Sequence, residues 1–88
     1  MALKLIGAQD DVTDRLRDAI QMALPGADVE VRAGGAGHFE LRVVAEAFRD
    51  RSRLQQHQLV YGAIAPLMAG DAPPVHAVDR LVTEAPTV

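Results

Sequence analysis

Asp28-Val29-Glu30-Val31-Arg32-Ala33-Gly34-Gly35-Ala36-Gly37-His38-Phe39-Glu40-Leu41-Arg42-Val43 is the stretch that decides the fold. Val29 and Val31 alternate with Asp28, Glu30 and Arg32; Phe39, Leu41 and Val43 alternate with Glu40 and Arg42. A period of two belongs to a strand with one buried and one solvated face. A short glycine-rich turn, Ala33 to Gly37, separates the runs, so they read as a β-hairpin. Glycine lets the turn adopt positive φ and leaves His38 accessible where the second strand starts.

Before the hairpin, Asp10-Asp11-Val12-Thr13 reads as a helix start, with acids in the first turn favoured by the dipole. Val12, Leu16, Ile20, Ala23 and Leu24 follow at helical spacing, and Pro25-Gly26 ends the run. Residues 1–9 carry no clear period and are expected to form a loose arm. After the hairpin, Phe48-Arg49-Asp50-Arg51 is a connector. Ser52-Arg53-Leu54-Gln55 fits a capping box that opens a helix bearing Leu54, Val60, Tyr61, Ile64, Leu67 and Met68. Pro66 lacks an amide donor, which predicts a kink or an early end. Gly70 to Pro74 is a turn, Val75 to Val82 a third strand, and 84–88 a frayed tail. The domain is therefore expected over 10–83. Its order is helix, hairpin, helix, strand. This is an α+β, two-layer arrangement: a three-stranded mixed sheet with helices on one face. The last strand follows a helical crossover and is expected to run parallel to a hairpin strand.

At 88 residues, one domain with a modest core is expected. Aromatics are few, so Val, Leu, Ile, Ala and Met are expected to build that core. No cysteine is present, which excludes a disulfide and gives no sign of secretion. Met1 to Ile6 is too short for a signal-peptide core, and no run approaches the ~20 apolar residues that span a bilayer. A soluble, cytoplasmic chain is expected. The net charge of −3 argues against strong nonspecific nucleic-acid binding.

Two histidines carry the chemistry. His38 and His76 each mark the start of a strand. If those ends pair, two imidazoles meet at one sheet edge. Imidazole suits iron or zinc, yet two ligands are half a site, and something else must supply the rest. His76, on a strand, is expected to be rigid; His38, on a glycine-rich loop, is expected to move. His57, one turn from Leu54 and from Tyr61, reads as a structural histidine or as a group behind the metal ligands. Arg49, Arg51 and Arg53 oppose the dipole of the long helix. They read as a solvated cluster, or as a receiver of an acidic surface, a glutathione carboxylate or a phosphate. Gly34 to Gly37 is not a phosphate cradle, because a strand rather than a helix follows. No nucleophile–base set is present: Ser52 reads as a cap, and Asp79 or Glu84 near His76 makes no triad. An enzyme is not expected.

Gly37-His38-Phe39-Glu40-Leu41, Phe48, Gln56-His57-Gln58-Leu59-Val60-Tyr61-Gly62 and Val75-His76-Ala77-Val78 together resemble the BolA family, over about Thr13 to Pro86. The resemblance implies a class II KH-like α-β-β-α-α-β fold, with the extra short helix around Ser52–Gln55. It implies an adaptor that pairs with a monothiol glutaredoxin. The pair holds a bridged [2Fe–2S] cluster through glutaredoxin and glutathione thiolates on one side, and His76 with His38 on the other. None is expected on the isolated chain, which would be a monomer or weak homodimer. Iron homeostasis, stress response and, in some members, transcription are the associated roles. The alternative is a DNA-binding regulator using a helix-turn-helix-like segment over Ser52–Met68, with weak nucleic-acid affinity. Three departures stand out. Asp50 replaces the family's usual glycine. Gln56-His57-Gln58 replaces Arg-His-Arg. Arg80 stands where many members carry an apolar residue. A Gly-x-x-Gly RNA clamp is absent from the connector.

Overall fold

The structure, a computed structural model, describes residues 8–87. Helix α1 spans Ala8–Ala23, strand β1 Asp28–Ala33, strand β2 His38–Val44, helix α2 Arg53–Met68 and strand β3 Ala77–Glu84. A single 3-10 turn, Glu46–Phe48, joins β2 to α2. The α+β, two-layer reading holds. The extra short helix does not lie over Ser52–Gln55: Ser52 caps α2 and Gln55 is inside it. The expected arm over 1–9 lies outside the described residues except for Ala8 and Gln9, which belong to α1.

The sheet order is β1-β2-β3. Strands β1 and β2 are antiparallel, with Val29 opposite Val43, Val31 opposite Leu41, and Ala33 opposite Phe39. These pairs put the apolar side chains on one face. On the other, Glu30 faces Arg42 and Arg32 faces Glu40, opposite-charge pairs worth about 0.2–1 kcal/mol each. Strand β3 runs parallel to β2, and between Phe39 and Glu40 the register slips by one residue. Phe39 faces Val78 and Glu40 faces Arg80, so Asp79 is an extra residue, a β-bulge. The slip keeps the alternation in phase. Val78 and Leu81 pack against the core, while Arg80 joins Glu40 on the open face.

Both helices cover the apolar face. Val12, Leu16 and Ile20 of α1 and Val60, Ile64 and Leu67 of α2 are buried with Val29, Phe39, Leu41, Val43 and Val75. The core is mainly aliphatic, as composition led one to expect, but its largest fully buried side chains are Phe39 and Phe48, and methionine enters only through the partly buried Met68 at its margin. Leu54 and Tyr61 are exposed, and Ala23 also faces out. Pro66 does not break α2 early: the helix runs to Met68. The Val75 N–H, which follows the turn, donates to the Leu67 carbonyl at 3.1 Å. No described helix is long and apolar enough to cross a membrane.

The connector is tied down at several points. Gln56 donates from its amide to the carbonyls of Phe48 and Arg51, both at 3.1 Å, and accepts the Thr83 hydroxyl at 2.7 Å. An arginine there has no acceptor and could not receive that proton. Gln56 is therefore a clip between connector, α2 and β3 that the sequence pattern did not reveal. The tail from Glu84 is not frayed at its start. Glu84 ends β3, pairs with Arg42 at 3.1 Å, and accepts the Ala45 N–H at 3.0 Å, while Pro86 accepts from Arg49.

Asp50 has φ 64, the only left-handed non-glycine residue among those described. This explains its position. The turn out of the 3-10 segment requires that conformation, which aspartate tolerates better than most. The left-handed conformation costs an L-residue about 1–2 kcal/mol, against roughly 0.5–1 kcal/mol of extra chain entropy lost by glycine. Asp50→Gly should therefore raise the unfolding free energy by roughly 0.5–1 kcal/mol in urea titrations, and Asp50→Val should lower it.

Candidate functional site

The candidate site forms where β2 and β3 begin. Being parallel, both strands start at the same sheet edge, and His38 is opposite Ala77. His76 is the residue before Ala77, so the topology brings the two histidines together as the pattern suggested. Their supports are the reverse of those expected. His38 is the first residue of β2 rather than part of a mobile loop: its N–H donates to the Gly35 carbonyl at 2.9 Å and its carbonyl accepts the Gly34 N–H at 2.8 Å. His76 precedes β3 and is exposed. It is nonetheless held. The N–H groups of His76 and Ala77 both donate to the Gly37 carbonyl, at 2.8 and 3.1 Å, and Val75 before it is fully buried.

Gly37 also makes room for the His76 ring. A Cβ on Gly37 would lie 2.7 Å from His76 Cγ and 3.1 Å from Nδ1, and its φ is +76. Of the four turn residues, this is the one whose lack of a side chain the site requires. The His38 imidazole is half exposed and its Nδ1 lies 3.1 Å from Asp79 Oδ1. No side chain among the described residues hydrogen-bonds the His76 ring, and no group of three or more His, Cys, Asp or Glu residues is placed to hold a metal ion by itself. Among the described residues, the two histidines are therefore the candidate donors at this end of the sheet.

The other candidates lie at the far end of the sheet. Arg49 pairs with Glu46 and donates to the Pro86 carbonyl at 3.0 Å; Arg51 donates to the Ala47 carbonyl at 2.8 Å. Arg49 thus ties the connector to the segment that follows β3, whose end lies about 23 Å from its start at strand rise, while Arg51 bonds within the connector. Arg53 makes no ion pair or hydrogen bond among the described residues and remains free for an anion. His57 sits early in α2, about 15 Å along the helix from Leu67, the end that meets the histidine edge. The structure therefore separates His57 and the arginines from the His38–His76 pair. Ser52–Met68 is a cap and one uninterrupted helix, not a helix-turn-helix.

Comparison with known proteins agrees with this fold. The family model described as BolA-like protein matches residues 16–87. The chain belongs to the BolA family. BolA-like protein 1 of Pongo abelii is 33% identical, and the match covers 82% of this chain but 57% of that relative, so the chain spans little more than half its length. A bolA homologue from Coxiella burnetii is 31% identical with a TM-score of 0.68 over 84% of this chain and 90% of that one. BolA1 from Mus musculus is 28% identical with a TM-score of 0.70, covering 98% of this chain and 72% of that one. Sequence reasoning missed the Gly37 carbonyl, and it considered Asp79 only beside His76, dismissed as a triad, rather than against His38. The latter contact had a signal: Val78 and Leu81 are three apart, which breaks strict alternation and marks the bulge.

Two outcomes follow. Gly37→Ala should cost about 1–3 kcal/mol and displace the His76 ring, read as a shift of its Cε1–H resonance with the fold intact. The hydrogen bond from Arg49 holds the Glu46 carboxyl below its usual range, a larger effect than the opposing desolvation. A lowered carboxyl stabilises the fold above its unfolded value and loses that contribution as pH falls through the folded value. Glu46→Gln should therefore narrow the stability difference between neutral pH and the region below the usual carboxylate range, by a small amount because the pair is exposed.

Proposed function

We propose that this chain is a non-enzymatic adaptor that pairs with a monothiol glutaredoxin and holds one side of a bridged [2Fe–2S] cluster, in iron–sulfur maturation or iron sensing. The observation that supports this best is the pair of accessible imidazoles at the β2/β3 edge of a chain without cysteine. Clusters are held mainly by thiolates, and two imidazoles can replace two of them, as in Rieske centres. The residues present fit that half of a shell. His76 and His38 would be the ligands on this side, with the remaining thiolates supplied by the glutaredoxin cysteine and glutathione. When bound, the cluster is cargo or a sensing group; the chain's part is to hold two imidazoles at a fixed spacing. Gly37 contributes by accepting the N–H groups of His76 and Ala77, which holds the backbone of His76 beside the start of β2. Arg53 lies too far away to assist, and nucleic acid is at most a weak, salt-dependent ligand there.

Co-expression with the host's monothiol glutaredoxin, followed by a visible spectrum, tests the reading. The chain alone should be colourless, and the complex coloured. His76→Ala should abolish or greatly destabilise the coloured complex. His38→Cys should keep a cluster with a spectrum shifted toward thiolate ligation. Both histidines lie outside the core, so circular dichroism should be unchanged. An unchanged spectrum for folded His76→Ala, or iron and sulfide retained stoichiometrically by the lone monomer, would sink the proposal. Tight sequence-selective DNA binding at physiological salt would replace it.

A further inference from the structure

We infer that Asp79 is a positioning residue: it holds the His38 imidazole as the Nδ1–H tautomer and so presents Nε2 as the donor atom at the sheet edge. Two independent observations carry this. The first is the contact, His38 Nδ1 to Asp79 Oδ1 at 3.1 Å. An ionised carboxylate only accepts hydrogen bonds, so the nitrogen facing it carries the proton. The tautomer is assigned from this partner. In the neutral ring the lone pair is then left on Nε2, the nitrogen a metal would take.

The second observation is the bulge. Asp79 has no partner across β2, because the register passes from Phe39–Val78 directly to Glu40–Arg80. A bulge re-aims a side chain that regular pleating would send elsewhere. Here the extra residue brings a carboxylate to His38 at the strand start, while Leu81 still packs on the core and Arg80 still faces Glu40. His76 gives an internal contrast, since no side chain among the described residues bonds its ring. The pair is half exposed and the hydrogen bond individually weak. The tautomer preference of a free imidazole is also small, so one hydrogen bond is enough to decide it. Metal-bound histidines commonly use such a carboxylate behind the ring, and its loss typically costs 10–100-fold in metal affinity.

The tautomer belongs to the protein alone; its consequence for ligation rests on the function proposed above. Long-range 1H–15N correlations on the lone chain, at a pH where the imidazoles are neutral, read each ring separately. Wild-type His38 should be protonated on Nδ1. Asp79→Asn should transfer the proton to Nε2, because the amide then donates to Nδ1. Asp79→Ala should give a mixture, and it covers the case of an amide that turns its oxygen to the ring. His76 should be unchanged in both. In the coloured complex, Asp79→Asn should shorten cluster lifetime roughly 10–100-fold, with partial recovery in Asp79→Glu. Wild-type His38 protonated on Nε2, or a tautomer indifferent to both substitutions, overturns the proposal and leaves the ligand role of His38 standing. A changed tautomer with an unchanged cluster lifetime overturns the positioning role. If His38→Ala also leaves the spectrum unchanged, the ligand reading of His38 has failed, and the hold of Asp79 on the ring stands.

Discussion

The Gly37 carbonyl accepts the N–H groups of both His76 and Ala77, and the parallel pairing of β2 with β3 starts from that point. Much of the molecule follows from this joint. A parallel neighbour cannot be reached by a tight turn, so the chain must cross over through α2. The crossover lies on the same face as α1, and together the helices bury the apolar side of all three strands. The two strand starts then share one edge. The joint that closes the sheet is therefore also the joint that anchors the backbone of His76 beside the start of β2, where His38 stands. A carbonyl with two lone pairs can accept two donors, which lets one residue fix two others.

The two ends of the sheet have different tasks. The end with the strand starts is open, with two imidazoles, one carboxylate and a glycine that gives the ring space. The far end is closed by polar clips. Gln56 joins connector to β3, Arg49 reaches Pro86, and Asp50 takes the left-handed turn that sends the chain into α2. Donors spent on carbonyls at that end are not available to ligands. This is why the arginine cluster, conspicuous in the sequence, is mainly structural here, and why Arg53 is its one uncommitted member among the described residues. The departures at positions 50 and 56 belong to this closed end. They alter how the connector is held and leave the histidine edge alone.

On the open face, charge replaces burial as the ordering principle. Glu30, Arg32, Glu40, Arg42, Arg80 and Glu84 alternate in sign from strand to strand. Each pair is exposed and contributes little to stability. The pattern does penalise a register slip, which would bring like charges together or turn the apolar set outward. Arg80 belongs to this pattern only because the bulge at Asp79 shifts the phase of β3. The bulge therefore serves the open face, the core and the site edge at once.

The alternation in Val29–Val43, the capping box at Ser52 and the stop at Pro25-Gly26 are local signals, and they determined the hairpin, both helices and the two-layer class. That His38 and His76 meet was legible only as a condition on strand pairing, since the crossover fixed a parallel neighbour but not which hairpin strand it joins. Which of the two histidines the sheet would carry was not legible. Strand ends depend on partners across the sheet, and those partners are distant in sequence. The same reason hid the contact of Asp79 with His38, made through a one-residue slip against β2, and the part of Gln56, whose acceptor meets a hydroxyl of β3. Composition foretold a mainly aliphatic core but not what occupies its middle. Phe39 and Phe48 are few in number, but the packing of two helices on a three-stranded sheet puts them at its centre. Local pattern decided what each segment becomes. Tertiary structure decided which side chains meet, because meeting depends on register and burial that no single segment contains.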